Sequence, residues 1–304
     1  LLMAGTAVLS TSCSDYLDEE KNFNQMQTED KIFTNREYTE QWLAYCYANL
    51  LGDNMEMGQW YNVTNFSDDM IFNEGNNGTF YRQMKLGEYT YFTDNSYYAK
   101  GWSRSYDGIR QASILINNID RNTDLTQAER TDIKGQARFL RAYFYWLLLR
   151  RYGPVPIMPD EGADYTKTYD ELSYPRSTYD KCAEYIADQM AQAARELPAT
   201  RSSTPIARPT RGAALAMRAK AYLYDASPLA NGNKEESDFV DDKGTPLISQ
   251  TYDESKWARA AAAALDVINL NQYKLYTASK KESTDFAYPT TIAPPYNAAY
   301  SDKN

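Results

Sequence analysis

The stretch from Gly135 to Met158, GQARFLRAYFYWLLLRRYGPVPIM, decides the fold class of this chain. Its apolar side chains recur on neighbouring turns of a helix, at Phe139, Leu140, Tyr143, Phe144, Leu147 and Leu148. Upstream, Thr126 and Glu129 have the spacing of a capping box, which satisfies free backbone N–H groups where a helix begins. Gly153 and the prolines after it prevent the helix from continuing. The pattern predicts one long helix over residues 126–151.

Similar apolar patterns recur along the rest of the chain, and a second capping-box pattern links Thr34 to Glu37. They predict further helices near residues 36–51, 102–120, 177–197, 209–227 and 254–269. No alternating pattern of comparable length indicates a β-strand. We therefore expect an all-α chain.

Two of the predicted helices resemble each other in sequence. The pattern Ala-x-x-x-Arg-Ala begins at Ala137 and again at Ala214, an offset of 77 residues (214 minus 137). The offset is about two 34-residue helical hairpins plus an insertion, as expected for hairpins that stack into a tetratricopeptide-like solenoid. The alternative is a chance likeness between two amphipathic helices.

Composition excludes several classes of function. The 304 residues are 43% hydrophobic, enough for a core in one or two domains. Lys and Arg number 32 against 41 Asp and Glu, and the net charge of -9 excludes nucleic acid as a favoured partner. The absence of histidine removes the usual general base and the commonest zinc ligand. The 27 tyrosines suit stacking on sugar rings as well as packing between helices.

The first residues have the pattern of a secretion signal. An apolar run from Leu1 to Val8 is followed by small residues, then by Cys13 and an acidic stretch. The run is too short to span a bilayer and matches the apolar region of a signal peptide. We expect residues 1–12 to be the remnant of a signal peptide that has lost its own first residues, and Cys13 to be the lipidated start of a mature chain, 13–304. The alternative is that Cys13 is an ordinary thiol.

Two other cysteines, Cys46 and Cys182, lie within predicted helices. A disulfide between them and a pair of buried free thiols are both open.

Between Gln59 and Asp107 the helical period fails, and aromatic residues alternate with amides and acids. A long irregular connection of this kind is usually functional. The rings that we predict to stack on sugar are Trp60, Tyr61, Tyr81, Tyr91, Tyr97 and Tyr98. The predicted partners of sugar hydroxyls are Asn62, Asn65, Asp68, Asp69, Asn73 and Arg82. Trp102 and Tyr106, one helical turn apart, are predicted to pack in the core.

Five stretches, in the order found here, resemble the SusD/RagB family of outer-membrane glycan-binding lipoproteins. They are Cys13–Glu20, Trp102–Asp120, Gly135–Met158, Pro175–Pro198 and Arg208–Gly232. The resemblance implies a tetratricopeptide-like helical scaffold, display at the cell surface, and partnership with a TonB-dependent SusC-like porin that imports the captured oligosaccharide. It also implies a further C-terminal region that this sequence does not contain.

Other functions remain as alternatives to the one that this resemblance implies. Asp68 and Asp69 raise the possibility of an all-α glycoside hydrolase, but adjacent carboxylates rarely flank one glycosidic bond. The acidic segment with Asp238, Asp241 and Asp242 does not match an EF-hand, so we interpret it as a surface loop and not as a calcium site. A protein-interaction scaffold is the third alternative. We predict a non-catalytic glycan-binding protein with no cofactor and no metal, and the tyrosines at 288, 296 and 300 are a second possible location of its site.

Overall fold

Seven α-helices form the part of the chain that the computed structural model describes, residues 29–50, 101–164, 166–202 and 207–274. The helices are α1 (Glu29–Thr34), α2 (Arg36–Ala48), α3 (Gly101–Asn118), α4 (Gln127–Tyr152), α5 (Tyr179–Glu196), α6 (Arg211–Ala226) and α7 (Ser255–Asn269). A 3-10 turn, Ile119–Arg121, follows α3. Among these residues no β-strand forms, and the only β-pairing is two isolated bridges. The all-α prediction is confirmed, and every predicted helix is present with ends that differ by no more than three residues.

The two predicted capping boxes have different outcomes. At the start of α4 the box is present: Glu129 N donates to Thr126 Oγ1 over 3.3 Å, and Thr126 N donates to Glu129 Oε2 over 2.8 Å. The prediction for Thr34 is wrong, because Thr34 is the last residue of the short helix α1. Asn35 caps α2 instead, and its side chain accepts a 3.1 Å hydrogen bond from Tyr38 N. Asn35 has extended backbone angles, as an N-cap residue requires.

From α3 to α7, each helix packs mainly against the helix before it and the helix after it. This order of contacts is that of a solenoid of antiparallel helices, as the tetratricopeptide-like prediction requires. Only α5 lies between α4 and α6. The 77-residue offset between Ala137 and Ala214 is therefore one hairpin step that contains a long connection, not two hairpins plus an insertion. Both alanines are fully buried, as their shared pattern suggests.

The core is centred on α4, which buries Phe144, Tyr145 and Trp146 almost completely. Gly108 on α3 faces this helix, and a Cβ atom at Gly108 would lie 2.4 Å from the ring of Phe144. The missing side chain lets α3 approach α4 closely. Trp102 and Tyr106 are half-buried and pack against the core, so their predicted role is confirmed.

Cys46 on α2 and Cys182 on α5 are buried free thiols, which decides between the two alternatives. Burial raises the pKa of Cys46 to about 12 and that of Cys182 to about 11. Both groups are therefore neutral near pH 7 and behave as small apolar side chains.

The outer face of α7 is apolar and exposed within the described residues, with Trp257, Leu265 and Ile268 accessible to solvent. The inner face of this helix buries Ala260 and Ala263 against α6. None of the described helices has the length and hydrophobicity needed to cross a membrane.

Candidate functional site

The helices alternate in direction, so the end of every second helix lies beside the start of the next. The C-terminal ends of α2, α4 and α6 lie together with the N-terminal ends of α3, α5 and α7. We call this the loop end, and it includes the connections 153–178 and 227–254. The opposite end has the shorter connections 119–126 and 197–210. Long connections at one end of a rigid scaffold are a common location for binding residues.

The two described residues that border the stretch 51–100, Leu50 and Gly101, both lie at the loop end. Arg104 on α3 donates a 2.7 Å hydrogen bond from Nη2 to the carbonyl oxygen of Ala48, the last residue of α2. At Gly101, a Cβ atom would lie 2.8 Å from the Arg151 guanidinium and 2.9 Å from the Tyr152 hydroxyl. The start of α3 is therefore held against both α2 and α4.

The predicted sugar-contacting residues lie outside the described residues. This applies to Trp60, Tyr61, Tyr81, Tyr91, Tyr97 and Tyr98, and to Asn62, Asn65, Asp68, Asp69, Asn73 and Arg82. The lipidation residue Cys13 and the second candidate location at Tyr288, Tyr296 and Tyr300 also lie outside them. Their roles stay predictions, and the structure describes the scaffold to which the stretch 51–100 is attached.

Five aromatic rings form a continuous chain of contacts from the loop end into the core. Successive ring centroids are 5.2, 5.2, 6.4 and 5.1 Å apart in the order Tyr152, Trp102, Tyr106, Tyr145 and Tyr185. Burial raises the pKa of the Tyr106, Tyr145 and Tyr185 phenols, which stay protonated. Such rings make a rigid foundation for the connections above them. The helical spacing of the sequence predicted that Trp102 and Tyr106 pack in the core, but it did not predict the contacts that join different helices.

The phenol groups of this chain hold the connection 153–178. Tyr106 donates to the carbonyl oxygen of Pro156 over 2.8 Å, and the Tyr145 hydroxyl accepts a 2.8 Å hydrogen bond from Met158 N. Tyr185 donates to the carboxylate of Asp160 over 2.6 Å. The proline-rich connection thus has fixed hydrogen bonds to α3, α4 and α5.

Asp160 is also held by a cation. Arg141 of α4 is 2% exposed in its side chain, and its Nη2 lies 3.2 Å from Asp160 Oδ1. The same nitrogen donates a 2.7 Å hydrogen bond to Gln189 Oε1 on α5, and Gln189 also accepts a bond from Arg138. Arg141 therefore links two helices to the connection at the loop end.

Arg176 was not predicted from the sequence, yet it joins both described connections. Its guanidinium lies 5.5 Å from the ring centroid of Trp102 and 5.9 Å from that of Phe239, both within cation–π range. It also donates a short hydrogen bond to the Pro154 carbonyl oxygen. The segment Pro175–Pro198 indicated a helix and gave no sign that Arg176, two residues before the N-cap Thr178, contacts two aromatic rings.

The acidic connection after α6 uses its carboxylates locally. Asp241 accepts hydrogen bonds from the backbone N–H groups of Lys243 and Thr245, at 2.9 and 2.8 Å. The Thr245 N–H bond is the main reason why the pKa of Asp241 is lowered. In the described part of the chain no three His, Cys, Asp or Glu side chains come together in a group able to hold a metal ion.

A family model described as starch-binding associating with the outer membrane, SusD-like, matches residues 15–223. A SusD-like protein of Bacteroides ovatus is 25% identical over 245 residues, which are 78% of this chain and 41% of that protein. The solved structure of BT4246 is 27% identical with a TM-score of 0.68, over 79% of this chain and 41% of that one.

A laminarin-binding SusD-like protein has a similar fold, with a TM-score of 0.55 at 19% identity, over 81% of this chain and 45% of that one. This chain thus spans about two fifths of the length of the relatives that it matches. Since the family model covers well over half of the 304 residues, the predicted resemblance is confirmed. The chain belongs to the SusD-like family of starch-binding proteins that associate with the outer membrane.

Proposed function

We propose that this chain is the glycan-capturing part of a surface lipoprotein that binds an oligosaccharide or polysaccharide. It passes the glycan to a TonB-dependent SusC-like porin for nutrient uptake. The observation that carries the proposal is the family match over residues 15–223, which includes the aromatic stretch 59–107 and the helices that frame it. The fold is also that of a relative that binds laminarin, a polysaccharide.

The proposed binding residues belong to the stretch that attaches at the loop end. Trp60, Tyr61, Tyr97 and Tyr98 supply flat apolar faces, and Asn65, Asp68, Asp69 and Arg82 supply partners for sugar hydroxyls. One well-placed ring contributes about 1 kcal/mol by analogy with aromatic pairs. Several contacts of this size hold a glycan and still allow its release to a transporter.

The described scaffold supports this role because it is rigid where the stretch begins and ends. Arg104 joins the two attachment points, and the ring contacts of Trp102 fix the first turn of α3. Binding residues on a preorganised support lose less conformational freedom when they bind.

Binding without catalysis is the proposed mode of action. Both described thiols are buried and neutral, and the chain contains no histidine. An assay for released reducing ends, with each bound glycan as substrate, separates the binding protein from a glycoside hydrolase. Release of sugar at a rate above that of the buffer control would contradict this part of the proposal.

A glycan array followed by calorimetric titration of the full-length protein tests the binding function. We expect saturable binding to at least one oligosaccharide, and loss of that binding when Trp60, Tyr97 and Tyr98 are all replaced by Ala. Crosslinking in native outer membranes tests the partnership, and a large TonB-dependent porin is the expected product. Binding to no glycan, with a porin still recovered, would favour the protein-interaction scaffold.

A further inference from the structure

A buried cluster of charged side chains lies where α5, α6 and α7 meet at the loop end. The Lys256 ammonium, 2% exposed in its side chain, lies 2.7 Å from Asp180 Oδ1 and 3.0 Å from Asp225 Oδ1. Asp225 is almost fully buried, whereas the Asp180 side chain is 37% exposed. Two carboxylates therefore share one buried ammonium, and they differ in their access to water.

The helix ends distinguish the two carboxylates further. Asp180 is the second residue of α5, where the positive end of the helix dipole favours an anion. Asp225 is the penultimate residue of α6, where the dipole disfavours one. The Oδ2 atom of Asp225 is buried and accepts no hydrogen bond from the described residues, and Arg259 Nη2 is 3.7 Å from it. A buried carboxylate oxygen without a hydrogen bond is costly when charged.

We propose that Asp180, Asp225 and Lys256 form a proton-sensitive clamp at the loop end, in which Asp225 is the carboxylate that binds a proton under mildly acidic conditions. The cluster lies where both long connections join the helices. Asp180 follows the connection 153–178, and Asp225 and Lys256 flank the connection 227–254. Acidification therefore changes the packing at the same end of the molecule as the attachment points of the stretch 51–100.

Other titratable groups on all three helices interact with Asp225 or with its neighbours, such as Lys256 and Arg259. They are Tyr179, Asp180 and Glu184 on α5, Tyr222 and Tyr224 on α6, Lys256 and Arg259 on α7, and Asp253 just before α7. The pKa of Asp225 is raised to about 6, mainly by burial and to a smaller degree by the charge of Asp180, while Lys256 and Arg259 oppose the shift. Burial thus outweighs the attraction of the cations.

The direction of the effect on stability follows from this shift. The folded chain binds the Asp225 proton more tightly than the unfolded chain, in which the pKa is 3.8. The contribution to stability is complete below that unfolded value, and it is lost as pH rises through about 6. This carboxyl therefore favours the folded state more at mildly acidic pH than at neutral pH.

Unfolding of the full-length protein between about pH 4 and pH 7.5 tests the proposal, with Asp225→Asn as the main variant. We divide the folding equilibrium constant of the wild type by that of the variant. This ratio should fall about a hundredfold as pH rises over this range, because each unit by which the Asp225 pKa is raised, about two in all, changes the ratio tenfold. Asp266→Asn is the matched control. Asp266 on α7 pairs with Arg218 on α6, so it joins the same two helices as the pair of Lys256 with Asp225. Its side chain is 51% exposed, so this variant should keep the wild-type pH profile.

The Asp180→Asn variant provides a second test, which can be carried out even if the Asp225→Asn variant does not fold. Removal of the neighbouring charge lowers the pKa of Asp225, so the pH-dependent step should move to lower pH. Hydrogen exchange, corrected for its intrinsic pH dependence, should show greater protection of 227–254 at about pH 5 than at about pH 7.5, and no such change in 197–210. A wild-type to Asp225→Asn ratio independent of pH, or an unmoved step in Asp180→Asn, would overturn the proposal.

Discussion

Arg104 on α3 donates a 2.7 Å hydrogen bond to the carbonyl oxygen of Ala48 at the end of α2. The 52 residues numbered 49–100 separate these helices in sequence, yet one side chain bridges the end of α2 and the start of α3. The aromatic and amide residues between them therefore belong to an excursion that begins and ends at the loop end.

Replacing Trp60, Tyr97 or Tyr98 with Ala should weaken glycan binding about tenfold for each ring that stacks on sugar, or about 1.4 kcal/mol. The melting temperature should stay unchanged, because a ring buried in a core would instead cost about 3 to 5 kcal/mol of stability. Calorimetric titration and thermal unfolding of the same samples distinguish the two roles.

The control for this series is Tyr273→Ala, since Tyr273 is exposed, lies just after α7 and contacts Gly212 at the opposite end of the scaffold. It should bind glycan normally. Normal binding and normal melting in all three site variants would move the site elsewhere, first to Tyr288, Tyr296 and Tyr300.

Arg141→Ala should lower the free energy of unfolding by about 1.5 to 3 kcal/mol, because the buried acceptors Gln189 Oε1 and Ser113 Oγ lose hydrogen bonds from a charged donor. Arg218 is the matched control, since it occupies the same place in the Ala-x-x-x-Arg-Ala pattern. Each arginine pairs with an aspartate side chain that is 51% exposed, but the Arg218 side chain is itself 26% exposed against 2% for Arg141, so Arg218→Ala should cost at most about 1 kcal/mol. Denaturant unfolding compares the two, and equal losses would refute the distinction.

The same pair shows what sequence can and cannot predict. Helix positions followed from local signals, such as the Thr126 and Glu129 capping box, because these signals act within a few residues. The repeated arginine pattern is identical in α4 and α6, but burial at Arg141 depends on α3, α5 and the connection after α4. Contacts between distant segments, such as Arg176 with Phe239, leave no periodic signal in the chain.

The error at Thr34 has the same origin. Thr34 with Glu37 and Asn35 with Tyr38 are equally plausible starts for α2 when only the spacing is considered. The short helix α1 extends through Thr34, and this decides in favour of Asn35. The sugar contacts stay a prediction, made from residue type alone, since the residues concerned lie outside the described ranges.

Cys46 and Cys182 should resist alkylation in the folded protein at about pH 8, because burial raises their thiol pKa values to about 12 and 11. The folded state favours the protonated thiol, so stability should decline as pH rises above the ordinary thiol pKa of 9.0. Iodoacetamide labelling of a Cys13→Ala variant, read by mass spectrometry, isolates these two thiols. We expect labelling at least about a hundredfold slower than in denaturant, and comparable rates would contradict the buried assignment.

Cys13→Ala should release the full-length protein from membranes without changing its melting temperature. The reason is the switch from apolar to acidic sequence around Cys13, from which we predict that this residue is lipidated. Labelling of cells with a fatty-acid probe, followed by fractionation, measures both effects. Equal labelling of wild type and variant would exclude lipidation at this residue.

Gly108→Ala should destabilise the protein by about 1 to 3 kcal/mol, the usual cost of overpacking a core. Alanine is the better helix former by about 1 kcal/mol, so an increase in stability would be expected if the site were open. A Cβ atom at Gly108 would lie 2.4 Å from the Phe144 ring, which is fully buried on α4 and must shift to accept it. Phe144→Leu alone should also destabilise, because it leaves a cavity. The double variant should be more stable than the sum of the two losses predicts, since the smaller side chain makes room for the new methyl group. Denaturant unfolding of all four proteins gives the coupling energy, and additive losses would mean that the two residues do not set the approach of α3 to α4.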